Sequence, residues 1–108
     1  MNTIDIKRGS SIHWQCTVQQ GGAPLDITGW QIDCQLRAPG GALVQQFAGV
    51  VTDALAGQFA LRASAAETAA WPLGGLYADI RYTDAAGAVM HSATWPVRVE
   101  AAITREQP

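Results

Sequence analysis

Apolar side chains fall on every second position through most of this chain. Across residues 11–19, Ile12, Trp14, Cys16 and Val18 alternate with His13, Gln15, Thr17 and Gln19. Across residues 30–37, Trp30, Ile32, Cys34 and Leu36 alternate with Gln31, Asp33, Gln35 and Arg37. A period of two marks a strand with one buried and one wet face. Residues 4–7, 43–52, 58–62, 76–83 and 89–100 read as five further strands. In these, Phe59 and Leu61, then Leu76, Ala78, Ile80 and Tyr82, then Ala93, Trp95, Val97 and Val99 form the inward sets, leaving Tyr77 outward. The alternation is lost where Val50 and Val51 follow Gly49, which predicts a bulge or a switch of sheet. Pro96 has no amide to donate, so its position should face a sheet edge or a bulge.

Turn residues separate the strands. Gln20 to Pro24 and Ala38-Pro39-Gly40-Gly41 are connections, residues 53–57 turn the chain, and Asp84-Ala85-Ala86-Gly87 predicts a hairpin with Gly87 left-handed. In the phrase Asp26-Ile27-Thr28-Gly29-Trp30, Asp26 and Thr28 are placed to bond local backbone and Gly29 to take a positive φ. That turn delivers Trp30 into a core and is the clearest fold signature of the chain. Ser64 and Glu67 have the spacing of a capping box, while Pro72 biases Trp71 out of the helical region. One or two helical turns are expected there. A parallel sheet would need crossover helices of about a dozen residues. The prediction is therefore all-β: an immunoglobulin-like antiparallel β-sandwich of about seven strands with one short helical segment.

At 108 residues the chain should form one domain, residues 1–100, with 101–108 as a flexible tail. A composition 48% hydrophobic and 15% charged is that of an ordered domain suited to meeting other protein surfaces. A net charge of −2 without a basic stripe excludes a nucleic-acid footprint. No apolar stretch approaches the ~20 residues of a membrane span. No signal-peptide core follows Met1, so synthesis in the cytoplasm is expected.

Candidate chemistry is sparse, and no enzyme is expected. His13 and His91 both sit on polar parities. Ser11, His91 and Asp79 could be assembled into a triad only on paper. Asp33 and Asp79, near Arg37 and Arg81, read as cross-strand ion pairs rather than paired acid and base. Asp26 and Thr28 are too few for a calcium loop, and two cysteines do not make a structural zinc site. No cofactor or metal is expected. Cys16 and Cys34 should be reduced core thiols, with a disulfide as the alternative. Gly75-Leu76-Tyr77-Ala78-Asp79 invites comparison with a tyrosine corner, with Asp79 at the cysteine position, but parity argues against it because Leu76, Ala78, Ile80 and Tyr82 form the better inward set. Of the four tryptophans, Trp14, Trp30 and Trp95 share inward parity. Trp71, beside Pro72, is expected to be exposed and to mark a contact surface.

The order of these phrases resembles a diffuse family of small immunoglobulin-like domains from phage and prophage tail modules, including the N-terminal domain of siphophage upper baseplate proteins. The resemblance rests on Leu25-Asp26-Ile27-Thr28-Gly29-Trp30 opening a strand that ends in Leu36-Arg37, then Gly40-Gly41 and Gly57-Gln58-Phe59-Ala60-Leu61. It continues through residues 64–71, Gly75-Leu76-Tyr77-Ala78-Asp79-Ile80-Arg81-Tyr82 and residues 95–99, covering roughly 12–99. It implies a non-catalytic docking or assembly module of a phage particle, here expected as a small free-standing accessory or virion protein made in the host cytoplasm. The implied partners are other phage structural proteins or a second copy, not nucleic acid or membrane. Contacts are expected at the edges formed by Ile4 and Ile6 and by residues 43–52, and around Trp71 and Tyr77. The alternative is a carbohydrate- or cell-surface-binding module stacking ligands on Trp71 and Tyr77.

Overall fold

The computed structural model describes residues 3–104. In chain order the elements are β1 (Ile4–Lys7), β2 (Ile12–Thr17), β3 (Gln19–Gln20), β4 (Ala23–Pro24), β5 (Gln31–Arg37), β6 (Leu43–Ala48), β7 (Val50–Asp53), β8 (Gln58–Ala63), α1 (Ala65–Ala69), β9 (Gly74–Thr83), β10 (Val89–His91) and β11 (Trp95–Glu100). The larger sheet has the order β1-β11-β9-β5-β6, with β10 also on β9; the smaller sheet is β2-β8-β7. β3 and β4 form a separate small hairpin. Pairing is antiparallel except between β1 and β11, which run parallel from Ile4 opposite Val97 to Lys7 opposite Glu100.

The predicted alternation sets the core. Ile32, Cys34 and Leu36 from β5, Leu76, Ala78 and Ile80 from β9, and Val97 and Val99 from β11 face Phe59, Leu61 and Ala63 of β8. Trp14, Trp30, Tyr82 and Trp95 are half-buried and pack against this cluster. Cys16 and Cys34 are free thiols.

The predicted strand over residues 43–52 divides into β6 and β7. The break in alternation is a switch of sheet: β6 is the edge of the larger sheet, and after Gly49 the chain becomes β7, the edge of the smaller one. Gly49 donates to the Ile32 carbonyl at 2.7 Å. A Cβ at Gly49 would stand 2.7 Å from that of Ile32, so no other residue fits the crossing as it stands. The 89–100 segment is divided as well, with β10 and β11 pairing different parts of β9. Pro96 sits one residue before the β1 ladder begins at Val97, where its missing donor leaves no gap in that ladder.

Both local predictions about turns match the structure. Thr28 donates from its amide and hydroxyl to Asp26 Oδ1 at 2.9 and 2.6 Å, and Gly29 has φ 80°. Ser64 and Glu67 form the reciprocal capping box, and α1 is a single short helix.

Two expectations about exposure are corrected. Trp71 is 1% exposed. Trp71 does lie outside the helix, which stops at Ala69 with Ala70 as its C-cap, but its amide donates to the Thr68 carbonyl at 3.0 Å, and this closing turn carries the ring inward. Ile6 is 6% exposed and Ile4 half-buried, because β1 is paired on one side to β11 and sends both side chains towards the core. β1 is the edge strand of the larger sheet, as expected, but its apolar side chains face inward. Of the expected tail, residues 105–108 lie outside the described residues.

Candidate interaction surface

The four residues singled out for contact do not form one surface. Trp71 closes an end of the core, where its ring meets Phe47 edge-on at 6.2 Å and its carbonyl accepts from Arg8 Nε at 2.7 Å. Ile4 and Tyr77 flank β11 on opposite faces of the sheet, since Ile4 pairs with inward Val97 and Tyr77 with outward Pro96. Only Tyr77, 49% exposed, offers an aromatic ring to solvent.

The outward parities of β5, β9 and β6 do converge. On this face Asp33 lies opposite Arg81, Gln35 between Asp79 and Gln46, and Arg37 opposite Tyr77. Arg81 Nη2 meets Asp33 Oδ2 at 3.1 Å, the cross-strand ion pair expected from the sequence. Arg37 donates from Nε and Nη2 to Gln35 Oε1 at 3.1 and 2.8 Å, and from Nη1 to the Gly41 carbonyl at 2.7 Å. Gln35 Nε2 in turn donates to Gln46 Oε1 at 2.8 Å. These bonds hold flexible side chains in place, although a solvent-exposed ion pair adds only about 0–1 kcal/mol to stability.

A shallow trough runs along this face. One part, of about 90 Å³, is lined by Asp33, Gln35, Asp79, Arg81 and His91. A second, of about 260 Å³, shares Gln35 and Asp79 and continues to Arg37, Tyr77 and Thr94. Its cause is topological. β11 pairs with β9 only as far as Ala78, and β10 joins only from Arg81. Between them Ser92 bridges to Ile80, accepting from its amide at 2.9 Å and donating from its own amide to its carbonyl at 2.9 Å. A wider hollow of about 770 Å³ lies between α1 and the segment after β11, lined mainly by alanines with Arg8 as its one cation.

The sequence already showed that Asp33, Asp79, Arg37 and Arg81 face outward. It missed that Thr94 and His91 join them. The alternation of β9 could have shown a polar row, but not which strands stop short beside it.

Burial dominates the shifted thiols and phenol. Burial pushes the Cys34 thiol up to about 12, with the nearby Asp79 carboxylate and Cys16 acting in the same direction. Burial also raises Cys16 and Tyr82 above their ordinary values. Among the described residues, no group of three or more His, Cys, Asp or Glu side chains is placed to hold a metal ion. No helix among them is long and apolar enough to cross a membrane.

The strand edges are the other exposed feature. The bond from Gly49 to Ile32 fixes the ladder parity, so the backbone groups of Gln46 and Ala48 point away from β5 towards the open side of β6. Leu43 is exposed on this edge, Val50 and Val51 are exposed on β7 at the edge of the smaller sheet, and residues 43–52 carry no charge.

Architecture and packing together define an all-β, immunoglobulin-like sandwich. The chain shares this fold with the N-terminal domain of phage TP901-1 ORF48, at a TM-score of 0.65 and 19% identity, over 92% of this chain and 85% of that one. No protein-family model and no curated protein sequence matches the chain.

Proposed function

We propose that the domain is a non-enzymatic assembly module of a phage or prophage particle, tail- or baseplate-associated, that works through protein–protein contacts. The observation that carries this reading is the fold likeness to a phage domain over nearly the whole chain. The two open edges, β6 of the larger sheet and β7 of the smaller one, support it. Natural edge strands are usually blunted by charge or proline, yet residues 43–52 contain neither. Such an edge accepts a further strand through main-chain bonds, from a particle protein or from a second copy. On this reading the protein is made in the host cytoplasm and carried into the particle. The carbohydrate-binding alternative loses Trp71 as a stacking residue, because that ring is enclosed in the core, and keeps Tyr77, which is exposed.

The test is mass spectrometry of purified particles carrying either the native chain or Val50→Lys, which places a charge on the open edge at the outward, 51% exposed position of β7. The native chain should be present, and the variant depleted at least fivefold while melting within a few degrees of native. Absence of the native chain, together with a strictly monomeric state at high concentration, would overturn the proposal.

A further inference from the structure

The trough on the outer face of the larger sheet has chemistry that strand addition does not use. Its floor runs along β9 from Tyr77 to Arg81, about 13 Å at 3.2–3.4 Å per residue. Both arginines on it are already engaged, Arg81 by Asp33 and Arg37 by Gln35 and the Gly41 carbonyl. The side chains of Asp79, Thr94 and His91 make no hydrogen bond among the described residues, and they line the trough beside the exposed Tyr77 ring. Asp79, a half-buried carboxylate, can accept more than one hydroxyl. The Thr94 hydroxyl can donate and accept, and the His91 ring adds two nitrogens for hydrogen bonding.

The charges limit the ligand. Asp33, Asp79, Arg37 and Arg81 cancel formally, so the trough favours neither a polyanion nor a polycation. The centres of protein–protein interfaces are depleted of charged residues and rich in apolar ones. This floor is the reverse, with polar and charged groups around one aromatic ring. A ligand suited to it is uncharged, carries adjacent hydroxyls, and has an apolar face that can lie on a phenol ring. Those are the properties of a pyranose.

We propose that this trough binds a short neutral oligosaccharide. Tyr77 takes the apolar face of one sugar, and Asp79, with Thr94 and His91 beside it, takes hydroxyls further along β9. The Arg37–Gln35–Gln46 and Arg81–Asp33 bonds hold the floor in shape before the ligand arrives, which lowers the ordering cost of binding. This site lies on a sheet face and the assembly reading on a sheet edge, so each can fail without the other.

The probe is an array of neutral oligosaccharides, with hits titrated calorimetrically against the full chain, Tyr77→Ala, Tyr77→Phe, Asp79→Asn and Arg98→Ala. Arg98→Ala, outside the trough, should bind as the native chain does, and Tyr77→Phe, which keeps the ring, should bind more tightly than Tyr77→Ala. Tyr77→Ala and Asp79→Asn should each weaken binding at least tenfold. Should Tyr77→Ala fail to fold, the nearly isosteric Asp79→Asn decides. The proposal is overturned if no neutral oligosaccharide binds, if only charged ligands bind, or if binding survives Asp79→Asn unchanged. Particle incorporation, measured separately, is unaffected by any of these results.

Discussion

The indole nitrogen of Trp71 donates to Oε1 of Gln45 at 3.1 Å, joining the segment after α1 to an edge strand 26 positions earlier. Gln45 passes the connection on, donating from Nε2 to Glu67 Oε2 at 2.8 Å. The capping-box glutamate is thus bound both to its own helix and to β6. This is how a tryptophan beside a proline comes to be enclosed: its polar atom has a partner and its ring has Phe47.

Replacing that ring should be among the costliest single changes. Trp71→Ala is expected to destabilise by about 3–5 kcal/mol, the usual range for emptying a core aromatic site. Trp71→Phe keeps much of the packing and loses one hydrogen bond, for about 1–3 kcal/mol. Chemical denaturation of the two variants checks the order. Equal and small losses would mean that the ring is not a core element.

Gly57 has φ 69°, and a Cβ there would stand 2.6 Å from the carbonyl oxygens of both Leu25 and Val18. Gly87 is also left-handed, but a Cβ there would meet nothing within 4 Å. Gly57→Ala should therefore cost several kcal/mol, and Gly87→Ala about 1 kcal/mol from backbone strain alone. Thermal melts of both proteins separate the two effects. Similar shifts would show that the approach at Gly57 relaxes.

Acid should weaken the fold at two identified places. The Thr28 hydroxyl and amide hold the Asp26 carboxyl below its ordinary range. The Ser64 amide, the Gln45 side chain and the Ser64 hydroxyl do the same for Glu67. A depressed carboxyl binds fewer protons folded than unfolded in the acid range. Its contribution is therefore complete above the unfolded values, about 3.9 and 4.3, and is lost as pH falls through the folded ones. Asp26→Asn and Glu67→Gln should flatten the dependence of melting temperature on pH below about 4. Parallel curves for native and variant proteins would contradict this assignment.

The thiols should be quiet in the native state. Cys34 is buried and pushed up to about 12, and burial raises Cys16 as well. The thiolate is the reactive form. At pH 8 a thiol reagent should label neither residue quickly until denaturant is added, and then both. Rapid modification of Cys34 in the native protein would show that the sandwich opens around it.

Much of the fold was legible because alternation fixes which side of a strand is inward. Trp30, Ile32, Cys34 and Leu36 lie where the pattern put them, as do Leu76, Ala78 and Ile80. The Asp26–Thr28 turn and the Ser64–Glu67 cap were legible too, since both are built from neighbours in sequence. What was missed depends on distant partners. The burial of Trp71 needs Gln45 and Phe47. The buried Ala60, on the outward side of β8, is spanned by Gln15 donating to Thr52 Oγ1 at 3.0 Å across the strand between them. The trough needs two strands to end at different heights beside β9. No local pattern records those facts.

The parallel pairing of β1 with β11 also gives the domain a mechanical direction. A pull that draws the start of β1 and the end of β11 apart acts along the strands, so the bonds from Ile4 opposite Val97 to Lys7 opposite Glu100 are loaded together in shear. An antiparallel pair pulled apart from its open end would instead unzip one bond at a time. Tension carried through the chain between its first and last strands therefore loads this ladder in shear rather than bond by bond.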